Sequence, residues 1–217
     1  MGSEMCIRDR AWIFHAPAMV VSPKRSQPGI RTTITSVTAT HCWLLLADVV
    51  GSTQLLESVG PKEYATRLSQ WMAELDAVIR SSAGFVNERL GDGLLAVWDA
   101  GKAEPDQVIS AIHEIHALSH THPTPFRALL HSGEILFGAG GYSSGLENLT
   151  GPALNFLFKS ERALPERSPG LYLSETAREQ QPPQTHLEHA GLVNIPGFSA
   201  EHFYRLEMGA KKGGGTE

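Results

Sequence analysis

The chain reads as an α+β domain: a ferredoxin-like antiparallel sheet with helices packed on it. Three observations predict this. Strand-like apolar runs and helix-period segments follow one another in the order β-α-β-β-α-β. Only Gly91-Asp92-Gly93 separates the second and third strand runs, which is a hairpin signal. The 217 residues, 41% of them hydrophobic, suffice for one sizeable core. The expected arrangement puts the helices on one face of the sheet.

Residues 1–40 mix Pro, Ser, Thr and Arg and read as a leader without function. The first ten, with the string Met5-Cys6-Ile7-Arg8-Asp9-Arg10, read as translated adapter sequence, the alternative being a disordered natural N-terminus. Met19 is then a candidate start, and loss of an upstream regulatory domain is an equal reading. The domain proper is expected over 41–207. Thr40 to Val50 is a buried strand. Val50 to Thr53 is a tight turn, with Ser52 or Thr53 placed to cap the segment after it. Pro61 to Ser81 is a helix whose Tyr64, Leu68, Met72, Leu75 and Ile79 share one face. Phe85 to Leu90 and Leu94 to Trp98 form the hairpin. Glu104 to Leu118 is a helix with Val108, Ile112, Ile115 and Leu118 inward. Phe126 to Phe137 is a strand, with a bulge or bend expected at Ser132-Gly133. A glycine-rich loop over 138–145 leads to a helix from Pro152 to Leu164. A short strand from Leu171 to Ser174 and a short helix from Glu175 to Gln180 come next. Two strands around Pro196-Gly197 complete the domain, and 208–217 is a flexible tail.

Composition excludes several functions. The net charge of −5, with no basic stripe, argues against a general nucleic-acid binder. No apolar run approaches the ~20 residues of a membrane span. Cys6 and Cys42 have neither metal-site spacing nor a disulfide framework, which fits a reducing, cytoplasmic setting. His113, His116, His120 and His122 are crowded enough to suggest a metal, but no cysteine or carboxylate joins them at a known spacing. They read instead as a polar helix face running into a loop.

Chemistry concentrates in two stretches, Leu44 to Thr53 and Glu88 to Val97. Each sets one aspartate, Asp48 or Asp92, at the end of an apolar run beside glycine. Two carboxylates near a loop of backbone N–H groups suit a hard divalent cation and a polyphosphate. Taken singly, Asp48 could be a helix cap and Asp92 a turn residue. Together, with these flanks, they resemble the class III nucleotidyl cyclases, which convert ATP or GTP to a 3′,5′-cyclic nucleotide. The resemblance runs from Trp43 to Leu206.

The resemblance implies that Asp48, Asp92 and the carbonyl of Val49 hold two Mg²⁺ or Mn²⁺ ions per site. The amides of Val50, Gly51, Ser52 and Thr53 would meet phosphate oxygens. It assigns base reading to Glu88, where ATP users carry lysine, and to Asn148. Glutamate can accept from guanine, and Asn serves either base, so the pair leans towards GTP over ATP without settling it. It assigns ribose orientation to Asn155 and α-phosphate charge to the position four residues on. That position holds Lys159, which keeps the charge but not arginine's fork. Pro196 stands where many relatives carry a triphosphate-binding cation. The expected form is a cytoplasmic homodimer with each site shared between protomers. The alternative is a weak or inactive nucleotide-binding regulatory module.

Overall fold

A computed structural model describes residues 38–137, 149–164 and 168–207. The leader, the glycine-rich stretch with Asn148, and the tail expected over 208–217 lie outside the described residues. The elements are β1 (Thr38–Val49), α1 (Ser52–Val59), α2 (Pro61–Ser81), β2 (Phe85–Leu90), β3 (Gly93–Asp99), α3 (Pro105–Thr121) and β4 (Phe126–Phe137). They continue as β5 (Leu149–Thr150), α4 (Pro152–Ala163), β6 (Gly170–Ser174), α5 (Glu175–Arg178), β7 (Leu187–Val193) and β8 (Glu201–Leu206). The strands form one sheet in the order β2-β3-β1-β4-β6-β8-β7, with β5 paired to β4. The first four in that order are the ferredoxin-like core. All pairings are antiparallel except β4 with β6, which is parallel.

The helices occupy both faces of the sheet, not one. Trp43, Leu45, Ala47 and Val49 of β1 pack with Trp71 and Leu75 of α2 and Ile112 of α3. Leu44 and Leu46 face the other way, onto Ala153, Phe156 and Leu157 of α4. The cause is visible in the strands. β3 is buried at every position, and so is β1 from Cys42 to Ala47. A strand buried on both sides needs cover on both sides.

Three local expectations also change. A short helix, α1, fills the segment between the turn and α2. Its N-cap is Gly51 at φ 64°, and no side chain caps it, so Ser52 and Thr53 are its first residues, not its caps. β4 pairs with β1 without interruption from Phe126 to Phe137, so Ser132-Gly133 makes no bulge there. Gly133 is needed for closeness instead, since a Cβ there would lie 2.8 Å from the Cβ of Ala153 on α4. In α3 the inward face is rotated. Leu118 is only partly buried, while Ala111, His116 and Ser119 are buried.

His116 is therefore no part of a solvated face. It is 3% exposed, and neither ring nitrogen has a hydrogen-bond partner. Burial and the nearby His120, His113 and Arg205 push its pKa down to about 4. His131 on β4 is buried beside Ser174 Oγ, 2.9 Å from Nδ1, and burial with His41 likewise lowers it to about 4. Both groups are held below the ~6.5 of a free histidine, so the folded state excludes their charged forms. Their contribution is complete above pH 6.5 and is lost as pH falls from there through about 4. Stability should drop across that window by roughly 3 kcal/mol per histidine. His116→Leu should remove about half of the drop in a denaturation series. An unchanged slope would show that His116 does not resist protonation.

Candidate active site

Asp48 is the last even-numbered residue of β1, so it shares the α4 side of the sheet with Leu44 and Leu46. It lies in register with Gly93 of β3 and Arg127 of β4. Gly93 is required there, because a Cβ would sit 2.8 Å from the carbonyl oxygen of Ala47. The hairpin turn holds Asp92 against the end of the same strand, where the Val49 N–H donates to the Asp92 carbonyl at 3.2 Å. The two aspartates thus meet at one end of the sheet.

Their electrostatics couple the two carboxylates. The Asp48 carboxyl is raised from 3.8 to about 6, first by burial, then by Asp92, then by Glu161. Arg127 pulls it the other way. Tyr64, on α2, also belongs to this neighbourhood. Its phenol is raised by burial and by Asp92, against a hydrogen bond with Ser52. Negative charge is crowded here, and a divalent cation would relieve it.

The donors fit such a cation. Among the described residues no group of three His, Cys, Asp or Glu side chains is arranged as a metal cage. Mg²⁺ seldom needs one, since one or two carboxylates with substrate phosphates commonly complete its shell. Asp48, Asp92 and a backbone carbonyl are hard oxygen donors of that kind.

The adjacent loop offers fewer amides than its sequence suggests. The Val50 N–H donates to the Pro125 carbonyl at 2.8 Å, so it is engaged within the fold. Gly51, Ser52 and Thr53 open α1, where N–H groups lack intrahelical acceptors. Those three remain suited to an anion.

Asn155 and Lys159 sit one turn apart on α4, and both are exposed. The Lys159 ammonium lies 5.3 Å over the Phe198 ring. It also approaches Gly197, in the β7–β8 turn. Neither residue lines the cavity of about 230 Å³ beside Asp48, which α4 walls with Phe158, Glu161 and Arg162. Glu88 is exposed on β2, just past a bulge between Val86 and Glu88. Asn148 lies outside the described residues.

Three charged residues of the site had no place in the sequence reading. Arg127 is 4% exposed and is ion-paired with Glu161 of α4. Arg162 is the next residue on the same helix. The available signal was a lone arginine inside the apolar run Phe126 to Leu130, since a buried charge demands a partner.

No family model matches the chain, and no curated protein does. Solved structures do match. The adenylyl cyclase CyaB from P. aeruginosa aligns at 13% identity and TM-score 0.64, covering 80% of this chain and 96% of that one. The guanylate cyclase domain of RhGC from Catenaria anguillulae, solved with GTP, aligns at 17% identity and TM-score 0.64, covering 78% and 98%. The dimeric guanylyl cyclase domain of the RhoGC fusion protein from Blastocladiella emersonii aligns at 15% and TM-score 0.62, covering 79% and 98%. The chain has the fold of adenylyl and guanylyl cyclase catalytic domains. No helix among the described residues is long and apolar enough to cross a membrane.

Proposed function

We propose that the chain is a class III nucleotidyl cyclase that converts GTP or ATP to the 3′,5′-cyclic nucleotide and pyrophosphate. The observation that carries this reading is the meeting of Asp48 and Asp92 at the sheet end, beside the open start of α1. In the reaction a bond forms between the ribose 3′-oxygen and the α-phosphorus. The bond from that phosphorus to the bridging oxygen of the β-phosphate breaks, and the hydroxyl proton is lost. Asp48, Asp92 and the Val49 carbonyl would hold two Mg²⁺ or Mn²⁺ ions. Those ions, when bound, supply a more acidic hydroxyl and charge neutralisation on the phosphates.

The chain's own groups do the rest. The Gly51, Ser52 and Thr53 amides receive terminal phosphate oxygens. Asn155 orients the ribose, and Lys159 offers charge at the α-phosphate. Both are exposed and outside the Asp48 cavity, which suits delivery to the site of a second copy. A two-fold homodimer would then carry two composite sites. The purified protein with Mn²⁺ and GTP or ATP should yield cyclic product. Mixing Asp48→Ala protein with Asn155→Ala protein should restore activity that neither has alone, since one heterodimer site is intact.

A regulatory module that binds nucleotide without turnover is the second reading. It is favoured by Lys159 resting on Phe198 and by the uncharged Pro196 in the same turn. Nucleotide binding with no product under any metal would establish it.

Base choice gives a separate expectation. A site that leaves polar groups unpaired against the wrong base loses ~1–3 kcal/mol for each. With Glu88 as an acceptor, GTP should bind more tightly than ATP in a competition assay with Mn²⁺. The double change Glu88→Lys with Asn148→Asp should shift the preference towards ATP. Tighter ATP binding by the unmodified chain would remove Glu88 as a reader of guanine.

A further inference from the structure

We propose that Arg162 binds the polyphosphate of the nucleotide held at Asp48 of its own chain, so that α4 serves one site in cis through Arg162 and the other in trans through Asn155 and Lys159. This rests on the cyclase reading and assigns a residue that reading leaves without a role.

Arg162 and Asp48 line the same cavity of about 230 Å³, with Gly93 and Leu90 on the sheet side and Phe158 and Glu161 on the helix side. Positions 158, 161 and 162 share one helix face by their i, i+3, i+4 spacing. Lys159 belongs to the neighbouring stripe, and its ammonium is taken up at the β7–β8 turn. The α4 cation that shares the cavity with Asp48 is therefore Arg162, not Lys159.

The charges around the cavity leave Arg162 available. Glu161 is committed to Arg127. Arg127, not Arg162, is the cation that offsets Asp48. Arg162 is exposed and has no ion-pair partner among the described residues. An exposed guanidinium at the rim of an acidic cavity is suited to a ligand that arrives with more negative charge than the wall. Its planar fork matches two phosphate oxygens at once. It would also supply the charge that Pro196 cannot.

The first test uses tripolyphosphate, which has no base or ribose, with Mn²⁺ and the full chain. Calorimetry should show about tenfold weaker binding for Arg162→Gln and partial retention for Arg162→Lys. Equal affinity for native and Arg162→Gln protein would overturn the proposal. The second test separates cis from trans. Asp48→Ala mixed with Asn155→Ala should regain activity, which checks the shared-site reading itself. Asp48→Ala mixed with Arg162→Gln should stay no higher than Arg162→Gln alone, because the one site with Asp48 lacks its own Arg162. Recovery in that second mixture would place Arg162 in the partner's site and overturn the cis assignment. Should the first mixture fail while Arg162→Gln still weakens tripolyphosphate binding, the shared-site reading falls and the phosphate contact stands.

Discussion

Asp48→Asn should lose metal-dependent turnover by about a thousandfold or more, yet melt higher than the native protein at pH 7.5. The two effects have one cause. Burial, Asp92 and Glu161 raise the Asp48 carboxyl to about 6. The folded state therefore binds the proton more tightly than the unfolded chain does. Sign matters here: stability from this group is complete below pH 3.8 and is lost as pH rises through about 6. At pH 7.5 the ionised carboxylate is a net cost, and the neutral amide removes it. A gain of about 1–2 kcal/mol is expected in metal-free buffer, fading towards pH 4. Mn²⁺ should raise the melting temperature of the native chain and not that of the variant, by mass action on the folded state. Asp92→Asn should lose turnover as well. Full activity in either variant would end the two-carboxylate reading. A stability gain independent of pH would show that the carboxyl charge is not its source.

Such a site trades stability for chemistry, and its sequence signature is correspondingly plain. An aspartate closing a run as apolar as Leu44-Leu45-Leu46-Ala47 stands out against its flanks, and the cap that it could have supplied is Gly51 instead. The elements were legible for a related reason. Pro61 to Ser81 and Phe126 to Phe137 carry their periods and their terminators within themselves, and they fold over those spans. What a single segment cannot carry is the identity of its partner. Nothing local tells that α4 takes the face opposite α2, that β6 runs parallel to β4, or that Pro125 claims the Val50 amide. The helix α1 spans only eight residues and buries none, so its apolar face at Leu55, Leu56 and Val59 is too short to announce it. His116 misleads in the opposite way. It is polar by type, but it lies at the edge of the buried stripe of α3 and is carried into the core by Ile112 and Ile115.

The Arg127–Glu161 pair is another such non-local feature, and its rupture should be strongly destabilising. Arg127 comes from the start of β4 and Glu161 from the last turn of α4. The guanidinium also reaches the Glu161 carbonyl at 3.3 Å. Glu161→Ala would leave a 4%-exposed guanidinium without its carboxylate, at a cost of about 3–5 kcal/mol. Arg127→Met should cost less, because Glu161 is more exposed than Arg127 and can reach solvent. The pair Arg127→Met with Glu161→Met should recover much of the loss, since breaking a buried ion pair destabilises far more than replacing it whole. Function should not follow stability in that double variant. Arg127 is the cation that holds the Asp48 carboxyl down, and Glu161 is one of the groups that push it up. Removing both leaves burial, Asp92 and the Val49 backbone hydrogen bond to set it, so metal affinity should shift even where the fold is restored. A chemical-denaturation cycle over the four proteins measures the coupling. A coupling energy near zero would mean that the pair does not bind α4 to the sheet.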